Sequence, residues 1–192
     1  MKLLLLFLLP ILYTPTIHAG LSAYERKKLI DELNYDRAAV GKKLGMTFGK
    51  VSYNTTLEKQ LDSLEVCGLQ LFPNYPSDDN PYIIPLEYNN IAKEYWEKDG
   101  QKHKQFLVMG LFNLDDHSIG CSKTYECSEK IGDGRDTPKG MAGKTMEFRG
   151  ACVTDSKWRK VDMAVRNKIG YSGLLPDPGK YGKLIGVKPF EK

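Results

Sequence analysis

Histidine is scarce in this chain: His18, His103 and His117 are the only three in 192 residues. Cysteine is sparse too, with Cys67, Cys121, Cys127 and Cys152 and no Cys-x-x-Cys spacing. That argues against a zinc knuckle or a thioredoxin-like redox centre. Past residue 19 there is no apolar run near the roughly 20 residues that a spanning helix requires. No internal repeat, low-complexity tract or nucleic-acid-reading motif is present, and nucleic acid is not an expected partner. Gly132-Asp133-Gly134-Arg135-Asp136 lacks the ligand run and closing Glu of an EF-hand loop. No cofactor is expected.

What is present begins with an export signal. Lys2 precedes an apolar stretch from Leu3 to Leu12, and Ile17-His18-Ala19 ends on a small residue. Residues 1–19 therefore read as a cleavable leader, and the rest as a secreted chain with no transmembrane segment. An even number of cysteines in an exported protein points to two disulfides, with three possible connectivities. The remainder is long enough for one domain with a proper core. Residues 156–192 carry nine Lys or Arg against Asp162, Asp177 and Glu191. This basic C-terminal extension is expected to be a solvated face, with an anionic surface as its possible partner.

Helices dominate the first half. Ser22 and Glu25 stand in capping-box spacing, Leu29, Ile30, Leu33, Val40 and Leu44 form one stripe, and Gly45 ends the helix. A second helix is expected from Thr55 or Thr56 to Glu65, burying Leu57, Leu61 and Leu64. A third fits Asn89 to Lys98, capped by Asn89 or Asn90, with Ile91, Tyr95 and Trp96 inward. Phe72 to Pro85 contains four prolines and reads as an irregular excursion. Strands are expected at Gln105–Phe112, Ser118–Lys123 and Thr145–Val153. Ser128 to Lys144 reads as a long, mobile connection, Trp158 to Ile169 as an amphipathic helix, and Gly170 onward as an extended tail. Helices first and strands later, without βαβ alternation, imply an α+β class.

Several short strings carry a family resemblance. Asn34 and Arg37 form an Asn-x-x-Arg on the first helix, and Met46, Val51, Tyr53-Asn54 and Leu57 follow in order. Cys67 comes after the second helix, Ile119-Gly120-Cys121 opens a strand, and Cys127 and Cys152 follow. In these features residues 22–153 resemble the CAP superfamily of sperm-coating-protein-like proteins, venom allergens and plant pathogenesis-related proteins. The resemblance implies a three-layer α-β-α sandwich over residues 20–155, with disulfides Cys67–Cys127 and Cys121–Cys152. It also exposes a loss. Many members hold a divalent metal with two His and two acidic residues, and the His positions here match Leu71 and Leu107. The acidic candidates are Asp79, and Glu97 or Asp99. Carboxylates without imidazole hold zinc poorly, so no metal site is expected.

Two further motifs have ordinary readings beside functional ones. Asp115-Asp116-His117 looks like a cluster but is standard turn chemistry before a strand. Asn54-Thr55-Thr56 is a glycosylation sequon, with Asn54 the acceptor, although either threonine would also serve as a helix cap. The functional expectation is a secreted, non-enzymatic domain that binds an extracellular protein or a lipid or sterol. The alternative is a metal-independent hydrolase whose cleft is built on Asp79, Glu97, Asp99 and His103. A third reading is another small secreted α+β family.

Overall fold

In the computed structural model, described residues are 20–63, 83–98, 108–135, 137–155, 168–169 and 172–191. Ser22 opens helix α1 (Ala23–Leu44): its hydroxyl accepts from the Glu25 N–H while the Glu25 carboxylate accepts from the Ser22 N–H. Gly45 closes α1 in the left-handed conformation, φ 64°. Leu29, Leu33 and Val40 are buried as the stripe requires, and Arg37 lies buried among them. Strand β1 (Ser52–Tyr53) leads to helix α2 (Thr55–Asp62), strand β2 (Ile83–Tyr88) and helix α3 (Asn90–Lys98). A 3-10 turn at Gly110–Phe112, strands β3 (Ser118–Lys130) and β4 (Thr145–Thr154), and helix α4 (Gly179–Ile185) complete the order.

The strands form one mixed sheet, β1-β3-β4-β2, in which β1 runs parallel to β3 and the other pairs are antiparallel. Alternate residues face opposite sides. Ile84, Ile119, Cys121 and Cys152 join Leu29 and Leu33 of α1 and Tyr181 and Ile185 of α4 in one apolar cluster. Ile83, Phe148, Ala151 and Val153 join Leu61 of α2 and Ala92, Tyr95 and Trp96 of α3 in another. The protein is thus α+β, with helices over both faces of the sheet. The sheet curls where the register slips between Ser122 and Glu126, so that Lys123 to Tyr125 face Gly150 alone. Gly150 has φ 59°, and a Cβ there would run into Val187.

Cys121 and Cys152 are directly opposite across β3 and β4 and form a disulfide, both fully buried. Closing a 31-residue loop, it stabilises the fold by roughly 3.7 kcal/mol in the chain-entropy account. None of the described cysteines is a free thiol. Cys67, the expected partner of Cys127, lies outside the described residues.

Several expectations need correction. Residues 108–112 form a helical turn rather than a strand, because a short apolar run does not distinguish a buried helix turn from a buried strand. Pro85, expected in an irregular excursion, sits inside β2. The strand tolerates it because β2 is an edge, pairing with β4 alone, where a missing N–H costs little. The expected connection from Ser128 is shortened by β3 and fastened at its base. Ile131 N–H donates to Lys144 O and Gly143 N–H to Ile131 O, with Ile131 and Met141 buried. Residues expected as an extended tail form α4, whose Tyr181 and Ile185 are fully buried against α1 and β2. The chain's end therefore shares the core of residues 20–155. Of the expected helix at Trp158–Ile169 only 168–169 are described, and they are helical.

Candidate functional site

Two polar centres fasten α1 to the segments packed around it. In the first, Asn34 pairs with Val51 as one strand pairs with another, its amide donating to Val51 O at 3.0 Å and accepting from Val51 N–H at 2.8 Å. One turn on, the Arg37 guanidinium donates to the carbonyls of Gly49, Leu111 and Asn113. Asp116 stands 3.7 Å from it, both side chains almost fully buried. Burial pulls the Arg37 pKa down, and the Asp116 carboxylate opposes that pull. The Asp115-Asp116-His117 turn thus splits, with Asp116 turned in to Arg37 and Asp115 and His117 exposed.

The second centre lies where the chain enters α1. Glu58 of α2 is only 3 % exposed, and its carboxylate accepts from Leu21 N–H at 2.7 Å and from Arg26 Nη2 at 2.9 Å. Arg26 lies over the Tyr53 ring, and Tyr53 Oη donates to Cys121 O at 3.0 Å and accepts from Cys121 N–H at 3.3 Å. Burial pushes the Tyr53 phenol well above its usual range. Beside this centre Lys123 pairs with Glu25 at 2.7 Å, and that hydrogen bond holds Glu25 below the usual carboxylate range. The Glu58 carboxylate and the Arg37 guanidinium are held by these partners and withdrawn from solvent, which suits them to holding the fold.

Of the residues expected to build a cleft, the structure describes Glu97. Glu97 is exposed on α3. Asp79, Asp99, His103, Leu71 and Leu107 lie outside the described residues. Tyr88 is raised well above its usual range by burial first, then by the charges of Asp177, Glu87 and Glu97. Glu87 is raised by burial and by Asp177, against the pull of Lys183. Among the described residues no group of three or more His, Cys, Asp or Glu is placed to hold a metal, and no helix is long and apolar enough to cross a membrane. Asn54 itself caps α2, its side-chain oxygen accepting from Thr56 N–H at 2.9 Å, where a threonine cap had been the alternative.

The outer face of α1 is different. Tyr24 and Tyr35 are 74 % and 70 % exposed, the large hydrophobic side chains left in solvent among the described residues. They stand three turns apart, about 16 Å along the axis, on one side of the helix. Lys28, Asp31, Ala38, Ala39 and Lys42 fill the same exposed face. Lys27 forms an ion pair with Asp31 there. Sequence reading missed this face because it weighed only the buried stripe of α1. The signal was available in the two tyrosines, spaced so as to share the side opposite Leu29 and Leu33.

No protein-family model, curated protein or solved structure matches the chain.

Proposed function

We propose that this chain is a secreted, non-enzymatic, CAP-like domain, a three-layer α-β-α sandwich with two disulfides, that binds an extracellular protein through the outer face of α1. The observation that carries the reading is the pair of exposed tyrosines on that face. Tyrosine supplies large contact area at low entropy cost, and it is enriched where proteins meet. Lys28 and Lys42 beside the pair favour a partner with an acidic rim. The CAP likeness is supported by the roles of its motif residues. Asn34 and Arg37 anchor the first helix, Gly120 admits α2 against the sheet, and Cys121 and Cys152 are joined. Leu71 and Leu107, standing where the family's imidazoles are expected, favour binding over catalysis. Export also exposes Asn54 to glycosylation, and residues 1–19 act as the leader.

The test is capture from extracellular fluid by the purified secreted protein, compared with a Y24S/Y35S variant of equal thermal stability. A partner whose capture falls at least tenfold with the variant is the expected result. Equal capture by both proteins, or a lipid as the sole co-purifying ligand, would defeat the proposal.

A further inference from the structure

The first described residue, Gly20, lies against the buried Glu58 carboxylate. A Cβ at Gly20 would sit 2.6 Å from Glu58 Oε1 and 3.6 Å from Arg26 Nη2. The Gly20 nitrogen is therefore no more than about 5 Å from Oε1, given standard backbone dimensions. The two carboxylate oxygens are unequally used. Oε2 takes the charged Arg26 Nη2 at 2.9 Å, whereas Oε1 takes the neutral Leu21 N–H at 2.7 Å. An ionised carboxylate has about four acceptor positions, so Oε1 has room for a second donor. Ile17-His18-Ala19 places the expected leader cut immediately before Gly20.

We propose that hydrolysis of the Ala19–Gly20 bond creates a second partner for that oxygen: the new Gly20 α-ammonium docks on Glu58 Oε1 beside the Leu21 N–H and locks the entry to α1. Water adds across the amide under a signal peptidase. Ala19 leaves as a carboxylate, and the freed Gly20 amine takes up a proton. Before the cut this nitrogen belongs to a neutral amide, so the leader's removal adds a charge-assisted bond that the precursor lacks. Gly20 suits the position because any side chain would collide with the oxygen being bonded. Arg26, which would repel an ammonium, is already held on Oε2. Glu25, the other carboxylate nearby, is held by Lys123 and by the Ser22 N–H. The consequence is a fold completed by its own export, with the mature chain more stable than any form carrying residues ahead of Gly20.

This inference rests on the secreted reading, and the experiment separates the two. Intact mass of protein collected from the medium gives its first residue, expected to be Gly20. Thermal unfolding is then compared for the mature chain and for one secreted with a single extra Ser before Gly20, each with Glu58 and with E58Q. The extra residue should lower Tm by about 2–4 °C with Glu58 and leave E58Q unchanged. An equal drop in both backgrounds, or none, overturns the lock while leaving secretion standing. A cut elsewhere does the same, and retention of residues 1–19 inside the cell overturns both. Should E58Q not fold, labelling of the Gly20 amine in the native protein decides. A rate at least tenfold below that of a Gly-Leu-Ser peptide is expected, and an equal rate contradicts the lock.

Discussion

Arg37 shows how one side chain can organise a junction. Its guanidinium spans three backbone carbonyls from two segments far apart in sequence, with Asp116 beside it. Arg37→Ala should lower unfolding free energy by about 3–5 kcal/mol, because it takes a buried cation away from three backbone carbonyls and from the buried Asp116 carboxylate beside it. Urea denaturation measures this, and a loss near the surface-mutation range would refute the role. Glu87 acts in the opposite sense. Its carboxyl is raised by burial and by Asp177, so the folded state binds its proton more tightly than the unfolded state does. Stability is then lost as pH rises from the ordinary carboxylate range through the folded value. Glu87→Gln should therefore raise Tm by roughly a degree or two at pH 7, with the gain vanishing below pH ~4. Such residues are only partly legible in a sequence. Arg37 was visible as half of Asn-x-x-Arg, but its acceptors are backbone atoms, which no residue type announces.

Among the elements, α2 and β3 approach one another more closely than side chains would permit. A Cβ on Gly120 would lie 2.6 Å from the Leu57 carbonyl carbon, and the helix backbone has no room to yield. Gly120→Ala should force α2 off the sheet and lower Tm by about 6–12 °C, on the order of 3 kcal/mol for a domain of this size. A stable, unshifted Gly120→Ala protein would show that the contact is looser than described. Elements with internal signals were readable. Helix α1 carries its capping box, stripe and terminal Gly45, and α3 carries Asn89, whose side chain accepts from Ala92 N–H. Elements defined by distant partners were not. β2 contains Pro85 and exists because β4 supplies its hydrogen bonds, and α4 gains its burial from α1 and the sheet. Val108 to Phe112 are apolar in either conformation, so tertiary packing alone decides between turn and strand.

For the molecule as a whole, the segments at either end of the described residues are tied to helices, α4 to α1 and the entry to α1 to α2. Lys180 of α4 pairs with Glu32 at 2.6 Å and with Asp36 at 2.7 Å, and Tyr181 donates to Asp36 at 2.8 Å. At the other end Leu21 is held by Glu58. Lys180, one of the basic C-terminal residues, is thus spent within the fold, whereas the outer face of α1 keeps Tyr24 and Tyr35 in solvent. Its tyrosines were in plain sight in the sequence. Their exposure was not, because an aromatic residue is as readily core as surface until the packing is known.

We propose a secreted domain framed by two disulfides in the CAP-like pairing. Peptide mass spectrometry of the non-reduced protein, collected from culture medium, tests it most directly. The expected result is a chain starting at Gly20, with Cys121 joined to Cys152 and Cys67 joined to Cys127. A Cys67–Cys121 link, or a chain found only inside cells with its thiols free, would contradict it.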